Sequence, residues 1–183
     1  NGQSRVNIEL GDTVLIIGAG PIGIMHAFLA KIQGAVKVFM NDLSEDRLAL
    51  CKELDPDIIT VTSAELKEKI MAETKGNGVD VSIIAAPSPE AQSSAIELMN
   101  MNGRVLFFGG LPKDRENVLL NSNTIHYKQL AVHGSARASL IQYRKSLAQV
   151  ENGLIPMKKI ISSRFKLDEI NEAVKKAADG SGL

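Results

Sequence analysis

Six consecutive residues, Gly18-Ala19-Gly20-Pro21-Ile22-Gly23, have the types and spacing to hold a pyrophosphate. Gly18 permits a tight turn. Gly20 carries no side chain to keep phosphates from the backbone. Gly23 lets a helix lie close to a strand. The free amides and the dipole at the start of that helix then favour negative charge. Asp42 follows Gly23 at the ~20-residue interval of an acid that accepts hydrogen bonds from an adenosine ribose. A carboxylate there repels a 2′-phosphate, so the pattern favours NAD over NADP. Arg47, one turn into the next helix, can approach the adenine face or a phosphate. The plainer reading of Asp42 is a solvated turn residue before Ser44. The agreement of strand, glycines and acid favours the ribose role.

Ligands in such sheets lie beyond the carboxyl ends of the strands. That rule adds three segments: Ala85-Ala86-Pro87, Gly109-Gly110-Leu111 and Ser135-Ala136-Arg137. Gly109 and Gly110 offer close backbone to a nicotinamide, or are ordinary turn glycines. Arg137 is a cap, a surface charge or a phosphate contact. A group to take an alcohol proton is harder to find. Neither Tyr127 nor Tyr143 has a lysine four residues on, and no His–acid pair stands at a strand end. His26 falls off the apparent apolar stripe of its helix and reads as a surface or helix-edge residue. His126, Tyr127 and His133 read as core or edge packing, Cys51 as a packed thiol, and the scattered methionines as core filler.

The elements that must position these residues alternate. Short β-branched runs predict buried strands at Thr13–Gly18, Val36–Asn41, Ile58–Val61, Asp80–Ala85, Arg104–Gly109 and Leu130–Gly134. Between them, Ile22, Met25, Leu29 and Ile32 make an apolar stripe at helical spacing. Ser44 and Ser88-Pro89 read as helix starts, Thr62-x-x-Glu65 has the form of a capping box, and Asp168 is a candidate cap for the last helix. The apolar positions of that helix are Ile170, Ala173, Val174 and Ala177. Gly76-Asn77-Gly78 and Asn102-Gly103 read as turns after helices. Residues 111–129 read as a crossover loop with a short strand or turn. The alternation predicts an α/β fold, a doubly wound parallel sheet of six strands between helices in three layers, with order 3-2-1-4-5-6.

Composition sets bounds. The 183 residues suit one domain, and 21 basic against 21 acidic residues leave no net charge. That balance argues against sequence-independent nucleic-acid binding and a polybasic membrane contact. No apolar run reaches the roughly 18 residues of a membrane span. The single cysteine suits a reducing cytoplasm. With three scattered histidines it predicts no zinc site in this chain.

Several segments together resemble the cofactor domain of zinc-dependent medium-chain dehydrogenases. They are Gly11-Asp12-Thr13 through Gly23, Asp42-Leu43-Ser44 with Arg47-Leu48, Gly103-Arg104-Val105 with Phe108-Gly109-Gly110-Leu111-Pro112, and Arg164-Phe165-Lys166-Leu167-Asp168-Glu169-Ile170-Asn171-Glu172-Ala173. They lean toward the sorbitol, threonine and polyol branch. The resemblance implies NAD contacts at Gly20, Pro21, Ile22, Asp42, Arg47 and the three strand-end loops. It implies hydride transfer from a secondary alcohol, with zinc and most of the proton relay supplied by a separate GroES-like domain. The chain is then expected to be an excised NAD-binding domain over 11–183, with 1–10 as the interdomain connection. It would stop near Gly180-Ser181-Gly182-Leu183, where a returning strand is expected, and would be inactive alone. Relatives associate through this domain as dimers or tetramers. Leu54-Asp55-Pro56-Asp57 departs from the family's Gly-Ala-Asp, away from the cofactor. Two other readings remain open at this stage: a stand-alone NAD-sensing module, and a methyltransferase with a similar glycine loop.

Overall fold

A computed structural model describes residues 1–178. The Gly180–Leu183 stretch lies outside the described residues. Six strands form one parallel sheet: β1 (Thr13–Ile17), β2 (Lys37–Asp42), β3 (Ile59–Thr62), β4 (Val79–Ile84), β5 (Met99–Phe107) and β6 (Ala131–Gly134), in the order β3-β2-β1-β4-β5-β6. This is the expected doubly wound fold. The inner strands are apolar because both faces are covered, and their alternate residues enter two different cores. The buried strand expected at Leu130–Gly134 is corrected: β6 is an edge strand with Ala131, Val132 and Gly134 exposed. Val14, Ile16, Val38, Met40 and Leu106 pack on one side with Ile24, Ala27 and Ala30. Leu15, Ile17, Phe39 and Val105 pack on the other with Ile70, Ala95 and Ile96.

The helices are α1 (Gly2–Val6), α2 (Pro21–Gln33), α3 (Glu45–Leu54), α4 (Leu66–Glu73), α5 (Pro89–Glu97), α6 (Ser122–Tyr127), α7 (Leu140–Glu151), α8 (Met157–Ile160) and α9 (Ile170–Ala178). Ser44 and Ser88 cap α3 and α5 as expected, each accepting a backbone N–H of its helix. Other local expectations are corrected. Thr62 does not cap α4: its hydroxyl donates to Glu65, and the helix starts only at Leu66. Asp168 sits inside a 3₁₀ turn before α9, where Glu169 accepts the Lys166 N–H. Asn102, at φ +59°, lies inside β5, which starts five residues earlier than expected behind a register shift between Val79 and Val81. The 111–129 crossover holds a 3₁₀ turn at Lys113–Arg115 and the short helix α6, capped by Asn121, instead of a strand. Met101 is exposed, as is Tyr127, whose ring meets His126 edge-on. Among the described residues no helix is long and apolar enough to cross a membrane.

The largest correction concerns α2. Ile22 and Ile32 are exposed, and the buried residues are Gly23, Ile24, His26, Ala27 and Ala30. The period argument followed the bulky side chains. A helix lying on a sheet instead turns its small residues inward, because they allow close approach. Met25 and Leu29 pack at the margin of that core. His26 is therefore inside, 6% exposed, with its ring edge-on to Phe108 at 4.6 Å. Its Nδ1 has no hydrogen-bond partner.

Burial, and secondarily the positive N-terminus, push the His26 pKa from 6.5 down to about 4. The folded state thus keeps the imidazole neutral while the unfolded state protonates near 6.5. Its contribution is complete above that pH and shrinks as pH falls toward 4, by about 3 kcal/mol in all. Urea unfolding at pH 7 and at pH 4.5 is expected to show this loss, and His26→Leu to show a smaller one. Equal pH slopes in the two proteins would remove His26 from the account.

Candidate cofactor-binding site

The loop joining β1 to α2 is built by contacts that its glycines make possible. Gly18 sits at φ +109°, which L side chains rarely adopt, and its N–H donates to the Asn41 carbonyl at 2.7 Å. At Gly23 a Cβ would lie 1.8 Å from the Gly18 carbonyl oxygen, so α2 rests directly on the loop that precedes it. At Gly20, the N-cap, a Cβ would meet nothing within 4 Å. The loop is thus tight at Gly18 and Gly23 and open at Gly20. Pro21 opens the helix at a position whose N–H has no intrahelical acceptor in any case.

Asp42 ends β2 beside this loop. Its Oδ2 accepts the Ala19 N–H at 2.7 Å and its Oδ1 accepts the Ser44 N–H at 2.9 Å. Arg47 Nη1 stands 4.0 Å from Oδ2. The Asp42 side chain is 10% exposed, so its charge is held at the loop by these amides and by Arg47. The plainer reading of Asp42 as a solvated turn residue is not what the geometry gives. It ties the glycine loop to the start of α3.

A cleft of about 660 Å³ opens here, between the β1–β3 ends and α5, with Gly18, Asp42, Arg47, Lys67, Ala86 and Leu98 on its walls. Of the other expected site residues only Ala86 is on its wall; Gly20, Pro21, Ile22, Gly23, Ala85, Gly109, Gly110 and Leu111 are not. The Ala85 N–H donates to Ile17 and the Gly109 N–H to Ile84, each across to the neighbouring strand. A Cβ on Gly109 would come within 3.1 Å of the Ala86 carbonyl, so the β4 and β5 exits are in close contact. Gly110 is open and Leu111 partly buried. Ser135 and Arg137 follow β6, two strands from β4, and are not on the cleft wall. Arg137 is exposed and left-handed, at φ +57°.

Two contributors were missed in the sequence. Gln92 is buried and donates to the Gly109 carbonyl. Its spacing of three and four from Ala95 and Ile96 was the available signal. The other is α1, which has only one turn and no stripe. Gln3 is buried and donates to the His26 carbonyl at 2.8 Å. Arg104 of β5 pairs with Asp12 and donates to the Val6 carbonyl. Cys51 is fully buried and its thiol is pushed up to about 11, so it is a packed, unreactive group. Asp55 and Asp57 of the departing turn pair with Lys31 of α2, remote from the cleft. Among the described residues no group of three or more His, Cys, Asp or Glu side chains is placed to hold a metal ion.

Comparison with known proteins agrees with this picture. The zinc-binding dehydrogenase family model matches residues 21–152. Sorbitol dehydrogenase of Bombyx mori is 35% identical over 98% of this chain and 52% of its own length. L-threonine 3-dehydrogenase of Ruegeria pomeroyi is 33% identical over 95% of this chain and 50% of its own. An alcohol dehydrogenase from E. coli CFT073, solved with NADH, superposes with a TM-score of 0.86 at 25% identity, over 97% of this chain and 52% of that one. A zinc-binding dehydrogenase of Sinorhizobium meliloti 1021 bound to NADP gives 0.74 at 27% identity, over 84% and 45%. The chain spans about half the length of the curated relatives it matches.

Proposed function

The chain belongs to the zinc-binding dehydrogenase family, and from that premise we propose that it is the NAD-binding part of an alcohol or polyol dehydrogenase. NAD held by these residues would supply the hydride acceptor for oxidation of a secondary alcohol at its carbinol carbon. The chain's own residues bind and orient it. The amides after Gly20 face the pyrophosphate, and Asp42 accepts from the adenosine ribose while Arg47 flanks the adenine. Ala85, Ala86 and the Gly109–Leu111 loop border the nicotinamide end, with Ser135 and Arg137 beside it. The observation that carries this reading is Asp42, held on the cleft wall by the Ala19 amide beside Arg47.

The zinc of the family finds no ligand set among the described residues. We assign it to a part of the whole protein beyond this chain, with residues 1–10 as the connection and 11–183 as the cofactor unit. The exposed apolar face supports that division. No residue of α7 is buried, and Leu140, Ile141, Tyr143, Leu147, Ile170 and Val174 are all exposed. In this reading the remainder of the protein covers them. The outer edge of β6, which among the described residues pairs only with β5, is where we place the contact between copies in a dimer or tetramer. The chain alone then binds cofactor without turnover, and acts in the cytoplasm.

The full-length protein, assayed with NAD and a panel of polyols and secondary alcohols, tests the proposal. Chelation of zinc is expected to abolish turnover and leave NADH binding intact. Undiminished turnover after complete zinc removal would contradict it. So would a full-length protein that binds no nucleotide, which is the result expected of neither a dehydrogenase nor an NAD sensor.

A further inference from the structure

The short helix α1 touches both strand exits at the far end of the site from Asp42. The Asn1 side chain joins three pieces of backbone and side chain there. Its Nδ2 donates to the Ala136 carbonyl at 3.1 Å and to the Arg137 carbonyl at 2.8 Å. Its Oδ1 accepts from Gln142 Nε2 at 3.3 Å. Gln142 is also half of the capping box that starts α7, exchanging bonds with Ser139. Arg137 itself is held at φ +57°, which disfavours a side-chain-bearing residue by about 1 kcal/mol. The Asn1 amide bonds the peptide on either side of that strained residue.

One residue on, Gly2 is packed against the β5 exit. A Cβ there would lie 2.7 Å from Cδ2 of Phe108, the residue before Gly109. The Phe108 ring also meets the His26 ring edge-on, and Gln3 ties α1 to the His26 carbonyl. One turn of helix thus braces the loop after β5 through Phe108 and the loop after β6 through Asn1. Neither contact reaches the glycine loop or Asp42.

We propose that Asn1 and Gly2 are positioning residues for the nicotinamide half of the cofactor, fixing the β5 and β6 exit loops without touching the cofactor. This rests on the cofactor reading above. It makes a distinction that a general loss of stability does not. Ligands that stop at ADP need only the glycine loop and the Asp42 side of the cleft. The full dinucleotide also needs the braced loops. Loosening the brace therefore weakens NADH and spares ADP.

The test uses full-length protein carrying Asn1→Ala, and separately Gly2→Ala, titrated with NADH and with ADP. Each variant is expected to weaken NADH about tenfold and to leave ADP within twofold of the unmodified protein. Asn1→Asp keeps the acceptor for Gln142 and loses both donors, so it should behave as Asn1→Ala. If both ligands weaken together, or neither does, the brace has no positioning role. If the unmodified protein binds neither ligand, the cofactor reading itself fails, which is a different result. Thermal melts run beside each titration separate a folding defect from a binding one.

Discussion

Gly23→Ala is expected to destabilise the chain by about 3 kcal/mol and to weaken NADH by more than about tenfold. The reason is contact, not conformational freedom. The new methyl would lie 1.8 Å from the Gly18 carbonyl oxygen and 2.9 Å from its carbon. Both are backbone atoms that cannot swing aside. Either α2 lifts from β1, opening the core of Ile16, Ile24 and Ala27, or the glycine loop deforms. Each outcome displaces the helix N-terminus from the position where its amides face phosphate. Gly20→Ala is the informative control, because a Cβ there meets no protein atom. It should fold normally and lose affinity only through the space it takes from the ligand. Denaturant unfolding and NADH titration of both variants check the pair. Unchanged stability of Gly23→Ala would mean that the helix does not rest on the loop.

Asp42→Ala is expected to weaken NADH about 100-fold and to bring the preference for NADH over NADPH close to unity. A hydrogen bond to a charged group contributes roughly 1.5–3 kcal/mol, and 2.7 kcal/mol is about 100-fold in affinity. The carboxylate also fixes the loop through the Ala19 and Ser44 amides, so its loss frees two donors near the ribose. Removing it deletes the repulsion that a 2′-phosphate meets, and Arg47 beside it then favours that phosphate. Asp42→Asn separates the two effects. It keeps one accepting oxygen for the loop and discards the charge, so discrimination should fall further than stability. Retained discrimination in Asp42→Asn would assign cofactor choice to another residue.

The sheet was legible because parallel strands covered on both faces leave continuous β-branched runs. Val14-Leu15-Ile16-Ile17 could hardly be anything else, and all four are buried. The glycine loop and Asp42 were legible because phosphate binding constrains backbone at fixed sequence spacing. What failed had a common physical source. Periodicity weights large side chains, while the inward face of α2 is made mostly of small residues, Gly23, Ala27 and Ala30, with Ile24 and one histidine among them. His26 was misplaced for that reason, although its burial against Phe108 is the feature that links α2 to β5. The helix α1 carries no stripe, and its role comes from Asn1 contacts about 135 residues away in sequence, which only the folded chain brings together. The apolar positions of α9 recur at helical spacing, yet Ile170 and Val174 are exposed. A stripe says that something covers a helix, not which part of the polypeptide does.

The central claim is that this chain is a dinucleotide-binding unit with an acid that selects NAD. Titration calorimetry of the chain with NADH, NADPH and S-adenosylmethionine tests it most directly. The account predicts saturable one-to-one binding of NADH, at least about tenfold weaker binding of NADPH, and none of S-adenosylmethionine. Tighter binding of NADPH than of NADH would contradict the role of Asp42. A folded chain that binds neither dinucleotide would contradict the claim as a whole.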